Sequence, residues 1–163
     1  MAPAQLESRP KVKTSQGDKD ALIEHLNEDL AGELQAITVY IQYSALLRGP
    51  HRSQLRELFQ KEIPDEQGHA QLLADKIAVM GGIPTTEARA VPEAADEHQM
   101  LRNVLEAEER AVYDYTARAK EAEACGEIGL KVQLENQIVD ETRHKEEVQQ
   151  ILAGIGHSDF DHA

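Results

Sequence analysis

The sequence predicts an all-α fold, a four-helix bundle with one long crossover between the second and third helices. Three observations carry this. Hydrophobic residues make up 40% of the 163 positions, yet Trp is absent and aromatics are 4%. The core is therefore expected to consist of Leu, Ile, Val, Ala and Met, which favours helices over sheets. Apolar residues recur at the helical period in four long stretches, separated by joints that carry Gly and Pro. A spacing of 33 positions also appears twice: Glu33 precedes Glu66 and Glu108 precedes Glu141, and a His follows each second Glu three places later, at His69 and His144.

Residues 1–18 have no periodicity and read as a tail of net charge about +1, too little to hold DNA. The first helix is expected over residues 19–47 with Asp18 as its N-cap, burying Ile23, Leu26, Leu30, Ile37, Ser44 and Leu47. Glu33 falls inside that stripe. Arg48-Gly49-Pro50 is a joint so short that the next helix must be an antiparallel neighbour. The second helix, residues 52–80, carries Leu55, Leu58 or Phe59, Leu73, Ile77 and Met80 inward, with Glu62, Glu66 and His69 on the same face. Pro64 predicts a kink or bulge there, and Gly68 a close backbone approach beside His69.

Gly81-Gly82-Ile83-Pro84 ends that helix, and the stretch to Pro92 is long enough to cross the bundle. The third helix can then run parallel to the second. It is expected over residues 93–124 with Pro92 at its start; Met100 or Leu101, Leu105, Glu108, Val112, Tyr115 and Ala119 face inward. Gly126 separates it from a fourth helix over residues 128–152, with Leu130, Leu134, Ile138, Val148, Ile151 and Leu152 inward and Gly154 and Gly156 stopping it. The organisation expected is a tail over 1–18, a bundle over 19–153 and a short tail over 154–163.

A net charge of −13 argues against nucleic acid as the main partner and suits metal cations. The single Cys125 cannot form an internal disulfide, and there is neither an apolar run long enough for a membrane span nor a secretory h-region. A cytoplasmic protein is expected.

An ionised carboxylate in an apolar stripe must meet a cation. Glu33, Glu66, Glu108 and Glu141 with His69 and His144 make a set of four carboxylates and two imidazoles, the ligands of a di-iron or di-manganese bundle. Glu33 and Glu108 are expected as terminal ligands, Glu66 and Glu141 as bridges, and His69 and His144 as one imidazole per ion. Two Fe ions are expected, with Mn or Zn as substitutes, since the set lacks clustered thiolates. Glu62, one turn before Glu66, reads either as a transit ligand for an ion or as a solvated acid. Tyr40, seven positions after Glu33, reads either as a donor to a ligand or as a core tyrosine, and Asp65 as an entry residue or a surface one. His25, His51 and His98 read as surface residues, and His157, Asp159, Asp161 and His162 as part of the polar end.

The segments Leu26-Asn-Glu-Asp-Leu-Ala-Gly-Glu33-Leu-Gln-Ala-Ile, Glu62 to His69 leading to Gly82-Ile-Pro84, Met100-Leu-Arg before Glu108, and Asp140-Glu141-Thr-Arg-His144 resemble the bacterioferritin branch of the ferritin-like superfamily. The resemblance implies a ferroxidase oxidising Fe(II) with O2 or hydrogen peroxide at a di-iron centre inside each subunit, in a hollow shell that stores the mineral. It also implies that the six residues above are the ligands, that Tyr40 stands beside the centre, and that Glu62 and Asp65 form an inner-surface iron site. Haem is not expected, because Gln67 stands where the family carries its haem-binding Met. The chain ends soon after Gly154, without the family's fifth helix, so a dodecameric homo-oligomer like the Dps-like ferritins is expected, with a 24-mer as the alternative. The competing expectations are a non-storing di-iron peroxidase resembling rubrerythrin, which usually carries a four-Cys donor, and a DNA-compacting or structural bundle.

Overall fold

The computed structural model describes residues 15–158, and among these there are four helices and no strand. They are α1 (Gln16–Leu46), α2 (Arg52–Val79), α3 (Glu97–Ala124) and α4 (Ile128–Ser158). The expected tail over 1–14 and the terminal Asp159, Asp161 and His162 lie outside the described residues.

Capping decides where α1 starts. Ser15, not Asp18, is the N-cap: the Asp18 amide donates to Ser15 Oγ at 3.1 Å and the Ser15 amide donates to Asp18 Oδ2 at 3.0 Å, a capping box that begins the helix three residues before the expected Lys19. Gly49 at φ 86° turns the chain into α2. The bulge expected at Pro64 is absent, since α2 is α-helical throughout; Pro64 and Gln60 are both exposed, so the lost hydrogen bond lies on the watered side. Gly68 makes no close approach either, because a Cβ there would meet nothing within 4 Å.

The crossover is bound to α1 along most of that helix's length. Asn27 donates to the Ile83 carbonyl at 3.1 Å and accepts from the Thr85 amide at 2.7 Å. The Arg89 amide donates to the Ala31 carbonyl at 3.0 Å and its guanidinium to the Glu28 carbonyl at 2.8 Å. Gln35 donates to the Ala90 carbonyl, and Tyr43 to that of Pro92 at 2.6 Å. The donors and acceptors on α1 thus climb turn by turn as the crossover advances. These bonds also correct the start of α3. Pro92 belongs to the crossover, and α3 begins only at Glu97, where Asp96 accepts from the Gln99 amide at 2.8 Å.

Contacts from α3 to α1 run in opposite order, Asn103 to Tyr43, Tyr115 to Glu33, Arg118 to Asp29, so the two helices are antiparallel. With α1–α2 and α3–α4 as hairpins, α3 is parallel to α2, the expected ferritin-type connectivity. Gly126 at φ 77° joins α3 to α4. The expected stop at Gly154 is overturned: α4 continues to Ser158, because Ile155 packs on the core and offsets the roughly 1 kcal/mol that each interior Gly costs.

The core is split in two. Leu22, Leu26, Leu30, Leu73, Ile77, Leu130 and Leu134 fill one end, and Val39, Tyr43, Leu55, Phe59, Leu101 and Val148 the other. Each helix contributes buried acid or imidazole between its two apolar segments.

Candidate metal centre

Six side chains from four helices meet in that middle layer. Glu33 comes from α1, Glu66 and His69 from α2, Glu108 from α3, and Glu141 and His144 from α4. All are buried, with Glu66 and Glu141 only 1% exposed. Their donor atoms form two groups, Glu33/Glu66/His69/Glu141 and Glu66/Glu108/Glu141/His144, in which the atoms lie within 4.8 Å of one another. Both groups contain Glu66 and Glu141.

Each imidazole turns Nδ1 toward its group. His69 Nδ1 is 2.7 Å from Glu141, 3.4 Å from Glu66 and 3.7 Å from Glu33. His144 Nδ1 is 3.4 Å from Glu141 and 3.9 Å from both Glu66 and Glu108. These atoms are close without being aligned: both Nδ1 atoms, both Glu141 oxygens and Glu66 Oε1 are buried and make no hydrogen bond. Buried polar atoms left unpaired are costly. Atoms that converge without bonding one another, with four acids among them, fit two divalent cations in charge and in donor type.

The Glu33 and Glu108 carboxylates are held by tyrosines across the bundle. Tyr40 donates to Glu108 Oε1 at 2.5 Å, and Tyr115 donates to Glu33 Oε1. Each tyrosine thus serves the carboxylate of the other hairpin. Tyr115 was expected on the inner face but without a role. The signal that could have found it is arithmetic: Tyr115 is seven positions after Glu108, as Tyr40 is after Glu33, and an offset of 75 relates all corresponding residues of the two halves. Sequence reasoning also missed a buried ion pair beside the layer, Arg118 Nε to Asp29 Oδ2 at 2.7 Å, with Arg118 Nη1 reaching Glu121 at 2.7 Å.

Protonation follows from crowding. Burial, then the neighbouring Glu141 and Glu33 charges, raises Glu66 well above the carboxylate range, and burial with Glu141 does the same for Glu108. Burial opposes ionisation of Glu141 too, but His144 and His69 prevail and hold it low. Burial likewise opposes the charge on His144, and Glu141 and Glu62 outweigh it, pushing the imidazole up to about 10; Glu141, Glu33 and Glu66 raise His69. Burial and the adjacent carboxylates raise Tyr40 and Tyr115, so both stay phenolic donors.

Glu62 is buried and approaches His144 Nε2 at 2.7 Å; with Asp65 and His144 it forms a third metal-competent group, in which Asp65 is exposed. His25 and His51 are only partly exposed and pair with Glu121 at 2.9 Å and Glu97 at 2.6 Å. On the α1–α3 side, a cavity of about 40 Å3 reaches Glu33, Glu66, Glu108 and Glu141 from an outer edge of Arg89, Arg110 and Asp114. That is room for a few water-sized molecules. No helix among the described residues is long and apolar enough to cross a membrane.

Residues 23–156 match the ferritin-like domain. The chain is 31% identical over 145 residues to the bacterioferritin of Mycobacterium leprae, covering 86% of this chain and 89% of that protein. Among solved structures it is similar to a ferritin-like diiron-carboxylate protein from Bacillus anthracis, with TM-score 0.83, 42% identity and coverage of 85% of this chain and 99% of that one. It is also similar to the Desulfovibrio desulfuricans bacterioferritin, whose diiron site is described in different catalytic states, with TM-score 0.80, 25% identity and coverage of 86% and 83%.

Proposed function

The chain belongs to the ferritin-like family, and from that premise we propose that it is a ferroxidase, oxidising Fe(II) with O2 or hydrogen peroxide and storing the ferric product in a homo-oligomeric shell. The observation that carries this reading is the pair of donor groups sharing Glu66 and Glu141. Two carboxylates common to two adjacent groups are what bridging requires. Glu33 and Glu108 are then terminal ligands, and His69 and His144 give one nitrogen to each ion.

Two ferrous ions held there supply two electrons, the number that reduces hydrogen peroxide to water or O2 to hydrogen peroxide. The protein's part is placement and charge. Tyr40 and Tyr115 fix the oxygens of Glu108 and Glu33, leaving each carboxylate one free oxygen for an ion. Protons on Glu66 and Glu108 and on the imidazoles leave as cations enter, so the layer stays near neutrality. The α1–α3 cavity admits a small oxidant to the four carboxylates. Glu62, Asp65 and His144 offer an arriving or departing ion a position toward the surface. Exposed Ile41, Val79, Ile83, Tyr113 and Val139 supply apolar surface for subunit contacts, with twelve copies as the assembly proposed.

Stopped-flow absorbance after mixing two Fe(II) per chain with air-saturated protein should show a fast ferric signal, and Glu66→Ala should abolish it. A Glu66→Ala protein as fast as the parent would sink the reading. Iron retained after repeated loading separates storage, at tens of ions per chain or more, from a two-ion enzyme.

A further inference from the structure

The two ion positions proposed above are matched in their ligands by the 75-position offset between the halves: Glu33 with Glu108, Glu66 with Glu141, His69 with His144. The match extends to Tyr40 with Tyr115 and Asp65 with Asp140. Among the buried places where it fails, one adjoins the ligand set. One turn before Glu66, α2 carries Glu62; one turn before Glu141, α4 carries Gln137. Both residues are 3% exposed.

In one half the acid lies on the far side of an imidazole. His144 Nε2, the nitrogen turned away from its ligand group, has the buried Glu62 Oε2 at 2.7 Å, an ion-pair contact in which that oxygen makes no aligned hydrogen bond. Asp65 is 3.7 Å from the same atom. Arg143 comes within 3.2 Å of it, but a guanidinium has only donors and cannot hold an N–H. On the other side, His69 Nε2 has Asp140 at 3.8 Å, an acid whose side chain is half exposed. Gln137, at the position that the offset matches to Glu62, is neutral, and neither atom of its amide makes a hydrogen bond.

A carboxylate behind a ligating imidazole fixes its tautomer and raises its basicity, and such a partner is worth about 10- to 100-fold in metal affinity. Gln137 withholds that charge from one half. We infer that Gln137 is a positioning residue that makes the two metal positions inequivalent, the His144 position being the tighter and the His69 position the weaker. The chemistry also explains why a second acid is absent, since a further carboxylate in this layer would have to be buried among five others. An inequivalent pair fills in a fixed order, with the second ion held more loosely and exchanged more readily.

This rests on the ligand assignment proposed above, and one experiment separates the two. Crystals of the full-length protein carrying one equivalent of Co(II) per chain, without oxidant, are measured by anomalous diffraction at the cobalt edge. A single equivalent reports the preference directly, free of repulsion between two ions. In the parent protein, cobalt should favour the His144 position by about tenfold or more. Gln137→Glu should bring the two occupancies together, Glu62→Gln should do so from the other side, and Gln137→Leu should keep the parent ratio. Equal occupancy in the parent, a preference for the His69 position, cobalt held instead between Glu62 and Asp65, or an unchanged ratio in Gln137→Glu would each overturn the inference while leaving a metal-binding centre. Cobalt absent from all these positions would overturn the ligand assignment itself, and the inference with it.

Discussion

Removing the Arg118 charge while keeping its length, as in Arg118→Met, should be among the most damaging single changes outside the metal ligands. Arg118 and Asp29 have side chains only 7% and 1% exposed and meet at 2.7 Å. Without the guanidinium, Asp29 loses its hydrogen-bonded cation in a low-dielectric interior and keeps only the weaker influence of Arg89. Breaking one side of such a pair costs about 3–5 kcal/mol. Glu121 suffers less, because His25 lies 2.9 Å from the same oxygen and the acid is partly exposed. For a chain of this size each kcal/mol moves the melting temperature by roughly 2–4 °C, so the variant should melt about 6–20 °C lower. Thermal unfolding followed by circular dichroism, with chelator present and protein concentration fixed, measures this. The double variant Asp29→Leu/Arg118→Met removes both charges and should recover to within about 1 kcal/mol of the parent or exceed it. A single variant that loses less than about 1 kcal/mol, or a double variant no better than the single, would refute the account of the pair as a desolvated one.

Other outcomes follow from geometry. Tyr40→Phe and Tyr115→Phe should each weaken Co(II) binding by about 10- to 100-fold in calorimetric titration, because each frees a ligand carboxylate from its only phenolic donor. Gly82→Ala places a Cβ 2.5 Å from Ile23 Cγ2 and 2.9 Å from Ile77 Cγ2, and should cost about 1–3 kcal/mol in urea unfolding. His144 is raised from 6.5 to about 10 in the folded chain, so its contribution to stability is fully present below about pH 6.5 and is lost as pH rises toward 10. The chelated protein should therefore lose stability across that window, and His144→Gln should flatten the slope. Because Glu66, Glu108 and both imidazoles are raised, divalent-ion binding at pH 7 should release protons, seen as a dependence of the calorimetric heat on the buffer.

The bundle was legible because four apolar stripes at one period leave few alternatives, and the crossing connection was legible from its length alone. The meeting of the six acid and imidazole side chains was legible because Glu33 and Glu108 sit where a helix buries its residues, each 33 positions before a Glu that is followed by a His. Local chemistry was harder to read. Ser15 displaced Asp18 as the cap because a capping box needs both partners, and a scan for single residues misses it. Pro92 suggested a helix start, but Tyr43, 49 positions away, holds its carbonyl in the crossover. Asp29 and Arg118 stood in the sequence as two ordinary charged residues. Only the α1–α3 packing reveals that they neutralise one another, since their separation of 89 positions has no counterpart in the 33- or 75-position spacings.

The two hairpins each bring three of the six buried acid and imidazole residues, and neither donor group is complete within one hairpin. Any ion seated in the middle layer is consequently held by both hairpins at once, through side chains that reach across from opposite halves. A cation bound there would rivet the halves together, and their union would tighten with each one taken up. A chain cut within the crossover, at residue 88, would leave two fragments whose rejoining depends on metal.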